Sequence, residues 1–374
     1  MKYRNCGKID FKPSALGFGC MRLPMDKGKI EETEAIRMIR YAIDHGVNYV
    51  DTAYVYHNGE SEIVTGKALK NGYREKVMLA TKSPIWEIGK ADDFDRLLET
   101  QLKKLQTSKI DFYLLHALGK DSWEKVKRLG ILKKAEAARK DGRIGHIGFS
   151  FHDNYKSFEE IINGYDGWEF CQIQYNYMDT ENQAGTKGLK LASSKGLAVI
   201  VMEPILGGRL ANPPAAVREL MEGYSNKRSP VDWALQWIWN QPEVSLVLSG
   251  MSSFKQVEEN IISAENSGIN TLNGRDLSLI DDINARFRER APVPCTKCGY
   301  CMPCPSGVNI PRNFEIYNDG IAYDAMNGAK FAYKSFMPEN ENASNCTQCR
   351  TCEEKCPQKI IISELMPKVH AALI

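Results

Sequence analysis

Eight short apolar runs, each followed by a stretch with helical spacing, leave this chain few ways to fold. The strand-like runs are 15–21, 48–53, 77–82, 110–116, 144–151, 170–175, 198–203 and 245–248. Among the intervening helices 31–45 is the clearest. There Ala35, Ile36, Ile39, Ala42 and Ile43 recur at three and four residues, acidic residues fill the first turn, and Gly46 stands where a left-handed cap belongs. Phe94, Leu97, Leu98, Leu102 and Leu105 make a second stripe, and 135–140, 232–239 and 257–264 fit the same role. Strands alternating with helices pair in parallel through right-handed crossovers, and eight units are the number that closes a barrel. The expected fold is α/β: a (β/α)8 TIM barrel over residues 1–290, led by a hairpin within 3–13. A doubly wound sheet is disfavoured, because Gly17-Phe18-Gly19 lacks the third glycine of a dinucleotide fingerprint and opens no helix.

Each strand of such a barrel delivers its C-terminal residue to one face. The runs ending in Asp51, Lys82 and His116, with Tyr56 five residues beyond Asp51, therefore bring four ionisable side chains to a single rim. Any one of them alone reads as packing or as a structural ion pair. Four together point to proton chemistry.

Composition removes several classes of function. A net charge of +2 with dispersed lysines gives no nucleic-acid surface. No apolar run approaches the roughly 20 residues of a membrane span, and 1–5 lacks a signal-peptide core, so a cytoplasmic protein is expected. Of eleven cysteines, eight fall after residue 294 in two tight arrays, which in a reducing compartment argues for metal rather than disulfides. Cys6, Cys20 and Cys171 are scattered and read as buried thiols.

The strand-end residues Asp51, Tyr56, Lys82 and His116 resemble those of the aldo/keto reductase family, the similarity spanning about residues 1–290. It implies an oxidoreductase that uses NADP(H) or NAD(H) to reduce a small-molecule carbonyl to an alcohol, or the reverse. In that reading Tyr56 is the general acid and Lys82 lowers its pKa from near 10. Asp51 holds Lys82 charged and His116 hydrogen-bonds the substrate oxygen. The resemblance further implies cofactor contacts from Gly19, Cys20, Met21, Ser150, Gln174, Met202, Pro204, Ile205, Leu206 and Gly208. At the last strand and helix it implies contacts from Gly250, Ser252, Ser253, Gln256, Glu259 and Asn260. This sequence departs from the family at Phe151, where asparagine is usual, at Met202, where an aromatic stacks, and at Gly250 and Gln256, where many members carry lysine and arginine. Lys255 is the nearby cation, and a plain serine N-cap at Ser253 is the competing reading.

Pro292-Val293-Pro294 marks the start of a second domain, 291–374. It contains Cys295-x2-Cys298-x2-Cys301-x2-Cys304-Pro305 and Cys346-x2-Cys349-x2-Cys352-x3-Cys356-Pro357. Three cysteines at two-residue intervals wrap one face of a cubane, and a fourth before proline reaches the neighbouring cluster in two-cluster ferredoxins. The segment 291–365 resembles bacterial ferredoxin modules, except that two residues, not three, precede Cys304. It implies two 4Fe-4S clusters in a small α+β ferredoxin-like domain, with ligands exchanged between the arrays. Zinc in two all-cysteine sets is the alternative. The competing function is an electron-transfer or redox-sensing protein, working with an external partner, whose barrel binds nucleotide or flavin without carbonyl reduction.

Overall fold

The structure is a computed structural model that describes residues 1–374. Eight parallel strands close into a barrel: β1 (Leu16–Gly19), β2 (Tyr49–Asp51), β3 (Met78–Ser83), β4 (Ile110–Leu118), β5 (Ile144–Phe151), β6 (Phe170–Gln174), β7 (Ala198–Met202) and β8 (Val244–Gly250). β1 pairs with both β2 and β8 and completes the ring. Each strand lies on one of the eight expected apolar runs.

Helices α1 (Glu32–Asp44), α2 (Ser61–Ala68), α3 (Asp93–Leu105), α4 (Lys120–Arg128), α5 (Ile131–Lys140), α6 (Tyr155–Asn163) and α7 (Gly185–Ser194) alternate with the strands. α1 buries Ala35, Met38, Ile39, Ala42 and Ile43, and the chain then reverses at Gly46 with φ +93°. α3 buries the whole Phe94 to Leu105 stripe. α8 (Ala215–Gly223), α9 (Pro230–Trp239), α10 (Phe254–Glu265) and α11 (Gly274–Glu289) follow.

The barrel interior is filled by side chains of alternating parity, among them Tyr49, Phe112, Phe170, Ile200 and Leu246. Tyr49 and Phe170 meet Phe112 edge-on, with ring centroids 5.2 and 4.8 Å away. Cys6 and Ile9 from the N-terminal segment join this interior core, so the segment stoppers the end of the barrel opposite the rim. Its two expected hairpin strands are reduced to the bridges Tyr3–Ser14 and Cys6–Ile9. Buried Arg4 donates to the carbonyls of Val244 (2.8 Å), Trp239 (2.9 Å) and Gln241 (2.7 Å). One fork thus ties three carbonyls at the end of α9 and the start of β8 to the N-terminal segment. Arg4→Met should therefore cost about 3 kcal/mol, read as a lower midpoint in chemical denaturation. An unchanged midpoint would show that water replaces the guanidinium without loss.

Two compact units divide the chain: residues 1–207 with 231–273, and residues 208–230 with 274–374. The first holds the whole barrel. In the second, α8 and α11 pack together, and α12 (Ile310–Ala322), α13 (Met326–Ser335), α14 (Thr351–Glu354) and α15 (Ile362–Leu373) carry the cysteine loops. Where an α+β arrangement was expected, no strand lies between 274 and 374. The cysteines recur every third residue, so their loops coil around sulfur-lined spaces and offer no extended ladder. The unit instead has an apolar core of its own, built on Val308, Phe314, Tyr333, Ile362, Met366 and Leu373.

Candidate active site and cluster loops

Asp51 ends β2, Lys82 lies near the end of β3, and His116 lies on β4, so strand register sets their spacing. Tyr56 comes from the loop after β2, where His57 (φ +51°), Asn58 (φ +55°) and Gly59 (φ +87°) are consecutively left-handed. Two anchors hold this strained turn. The His57 ring nitrogen accepts the Leu23 amide at 3.2 Å, and the Thr52 hydroxyl donates to Ser61, which donates to the Cys20 carbonyl.

The ammonium of Lys82 is buried and uses all three of its protons. It donates to Asp51 Oδ1 (2.5 Å), the Thr52 carbonyl (2.8 Å) and the Tyr56 hydroxyl (3.2 Å). The phenolic oxygen is thus an acceptor toward Lys82, which leaves its own proton free for another partner. Burial opposes the Lys82 charge, but Asp51 and Tyr56 outweigh it and the pKa lies above the ordinary lysine value. Burial raises the Asp51 carboxyl, against the attraction of Lys82.

For Tyr56 the expected direction is reversed. Burial lifts the phenol pKa by more than Lys82 lowers it. In the resting site the group is a held acid rather than a half-ionised one. Burial, reinforced by Lys82, pushes His116 down to about 3, so its ring is neutral. Its Nδ1 is buried without a protein partner, and its ring stands edge-on to Tyr56 at 6.2 Å.

Behind Lys82, Gln101 donates to the Lys82 carbonyl (3.0 Å) and to buried Glu62 (2.7 Å), which also accepts from Thr81 (2.7 Å). These bonds fix the strand from its outer side. Sequence reasoning missed that network, and missed two residues facing the site. Gln172 on β6 donates to the second oxygen of Asp51 at 3.2 Å. The half-exposed Trp86 lies 5.0 Å from the His116 ring. A polar residue inside an otherwise buried strand was the available signal for Gln172.

Among the expected cofactor residues the placement is uneven. Gly19 pairs in register with Gly250, so the rim between β1 and β8 carries no side chain there. Cys20 is fully buried, its thiol pushed up to about 12 by burial, and Met21 is exposed. Ser150 accepts the Ala117 amide at 2.8 Å, which steadies the residue after His116 and leaves the hydroxyl proton available. Gln174 is engaged at both ends of its amide, donating to Asp179 (2.8 Å) and accepting from Asn182 (3.4 Å). Of the pair 172 and 174, which share parity on β6, Gln172 is the one turned toward Asp51.

Met202 ends β7 and leads into a turn containing Pro204 and Ile205, with Glu203 (φ +54°), Leu206 (φ +50°) and Gly207 (φ +66°) left-handed. Gly208 (φ +102°) begins the second unit. The start of α10 caps itself: Ser253 Oγ accepts the Gln256 amide (3.4 Å) and Gln256 Oε1 accepts the Ser252 amide (2.8 Å). Asn260 turns inward to Ser249 (2.9 Å), and Lys255 lies 3.6 Å from Glu259. The serine cap offered as the competing reading is therefore present, and the two amides it covers are not open to a phosphate.

In the second unit the eight cysteines separate into two cavities. One is lined by Cys295, Cys298, Cys301 and Cys356, with Phe314 and Ile360. The other is lined by Cys346, Cys349, Cys352 and Cys304, with Val308 and Ile310. Each space thus draws its fourth cysteine from the opposite array. The quartets stay open: no three His, Cys, Asp or Glu side chains gather closely enough to hold a single metal ion.

The family described as "Aldo/keto reductase family" matches residues 15–284, and "4Fe-4S dicluster domain" matches residues 294–361. An uncharacterized oxidoreductase, YqkF of Bacillus subtilis, is 26% identical over 297 residues, covering 71% of this chain and 91% of that protein. L-galactose dehydrogenase of Arabidopsis thaliana is 27% identical over 282 residues, covering 70% of this chain and 87% of that one. Among solved structures, the holo form of aldo-keto reductase AKR11C1 from Bacillus halodurans superposes with a TM-score of 0.62 at 27% identity, covering 76% of this chain and 96% of that one. With its barrel matched over that length, this chain belongs to the aldo/keto reductase family of oxidoreductases and carries a 4Fe-4S dicluster domain at its C-terminal end.

Proposed function

We propose that the barrel reduces a small-molecule carbonyl to an alcohol, or runs the reverse, with NADPH or NADH. We propose also that the second unit holds two 4Fe-4S clusters, with Cys295, Cys298, Cys301 and Cys356 on one and Cys346, Cys349, Cys352 and Cys304 on the other. The observation that carries the first reading is the bonding around Lys82. All three ammonium protons are committed, so the Tyr56 proton is the one left to meet an incoming oxygen. Neutral His116, with its buried unpartnered nitrogen, adds a second polar group beside that oxygen.

The bare Gly19–Gly250 rim and the left-handed turn from Glu203 to Gly207 suit the close approach of a dinucleotide, and Ser150, Gln172 and Met202, toward the ends of β5, β6 and β7, are the side chains that would hold its reactive end. A bound nicotinamide supplies the hydride. Tyr56 supplies the proton, Lys82 stabilises the phenolate left behind, and Asp51 with Gln172 keeps Lys82 in place.

The clusters lie outside this route. A hydride carries two electrons and a 4Fe-4S centre takes one, and no flavin motif bridges the two. Cys298 and Cys349 are exposed, so each cluster has an edge from which an external partner could exchange electrons.

The pH profile of turnover with a simple aldehyde tests the acid assignment. Tyr56 must be protonated for reduction, and its raised pKa keeps it so through neutral pH. His116 at about 3 stays neutral above pH 5. Reduction should hold a plateau from about pH 5 to 9, while alcohol oxidation climbs toward alkaline pH. A limb in the reduction profile near pH 6.5 would put a titrating histidine in the acid's place.

A further inference from the structure

Arg22 ends the single 3-10 turn, Cys20–Arg22, that follows β1. Its side chain is exposed and has no hydrogen-bond or ion-pair partner in the protein. It is nevertheless laid along a definite course. A Cβ placed on Gly250 would lie 3.2 Å from Arg22 Cβ and Cγ and 3.3 Å from Cδ, so the aliphatic stem crosses the end of β8. A Cβ on Gly207 would lie 3.6 Å from Nη2, so the guanidinium reaches the turn after β7. The strands β1, β8 and β7 are neighbours in the ring, and Arg22 spans all three where two glycines leave room.

In β/α barrels the loops after the seventh and eighth strands commonly form the phosphate site. Here the other candidates for that work are already engaged. The amides of Ser252 and Gln256 are capped by side chains, and Lys255 sits beside Glu259 with 81% of its side chain exposed. A planar fork with five donors and no protein acceptor suits a phosphoryl group, which it can grip through two bonds.

We propose that Arg22 is the diphosphate ligand of the dinucleotide site, its guanidinium pairing with the phosphates as the nucleotide crosses from the β7 turn to the end of β8. This rests on the proposed use of NAD(P)H. It assigns the principal cation of that site to the loop after β1 rather than to α10. Contact with the diphosphate, which both nucleotides share, makes Arg22 indifferent to the 2′-phosphate.

Equilibrium titration of the holoprotein by calorimetry, with NAD+, NADP+ and adenosine as probes, tests this without turnover. Arg22→Met keeps the stem across Gly250 and removes the charge. It should weaken NAD+ and NADP+ alike by about ten- to a hundredfold, leave adenosine unchanged and leave thermal unfolding unchanged. Arg22→Lys should recover part of the loss. Equal binding of both dinucleotides by wild type and Arg22→Met overturns the assignment. Loss confined to NADP+ overturns it too, and moves Arg22 to the 2′-phosphate. Failure of wild type to bind either dinucleotide removes the carbonyl-reductase reading itself, a result distinct from both.

Discussion

Tyr56→Phe is expected to lower kcat/KM for carbonyl reduction by about 10²- to 10⁴-fold, the range for loss of a positioned general acid. The substitution is close to a pure proton deletion here. Of the three bonds made by Lys82, the one to Tyr56 is the longest at 3.2 Å, and the ammonium keeps Asp51 and Thr52 after it is gone. The phenyl ring retains its edge-on contact with His116 and its position 4.8 Å from the Lys82 ammonium. Folding and dinucleotide affinity should stay near wild type, so the loss belongs to the chemical step. Lys82→Met should be as damaging to rate and worse for stability, because it leaves the buried Asp51 without a countercharge. Steady-state kinetics beside a denaturation curve separates the two. Near-normal turnover by Tyr56→Phe would remove the phenol from the mechanism.

The second large effect concerns the clusters. Cys356→Ala should damage the site of the first array, because Cys356 lines the cavity of Cys295, Cys298 and Cys301 rather than that of its own array. Iron content should fall from roughly eight to four atoms per chain. Under native anaerobic conditions Cys295, Cys298 and Cys301 should become open to alkylation, while Cys346, Cys349 and Cys352 stay protected. Cys304→Ala should give the mirror pattern. Labelling of Cys346, Cys349 and Cys352 in Cys356→Ala would mean that each array closes its own cluster. Loss of one site should also loosen the unit, since Cys352 and Cys356 belong to its apolar core.

The barrel was legible because its signal is local and repeated. Strand runs 48–53 and 110–116 and the α1 and α3 stripes are each readable within about fifteen residues, and eight repeats fix the closure. The pairing of Asp51 with Lys82 was legible for the same reason, since both stand at or near strand ends. Features created only by closure were not readable. Arg4 finds its carbonyl partners more than 230 residues away, and Trp86, in the turn after β3, meets His116 on β4. The direction of the Tyr56 shift depended on burial against charge at one atom, a balance that spacing does not encode. Arg22 was passed over because an exposed arginine after a strand is unremarkable until two distant glycines are seen beneath it.

The most direct measurement follows a label. Holoprotein is supplied anaerobically with reduced nicotinamide dinucleotide deuterated at the transferable C4 position and a panel of simple aldehydes, and the alcohol is analysed by mass spectrometry. The account predicts one deuterium at the carbinol carbon, formed with wild type and at least about a hundredfold slower with Tyr56→Phe, while cluster absorbance stays unchanged during turnover. Alcohol without deuterium, or cluster bleaching that keeps pace with product, would contradict direct hydride delivery at the Tyr56 site.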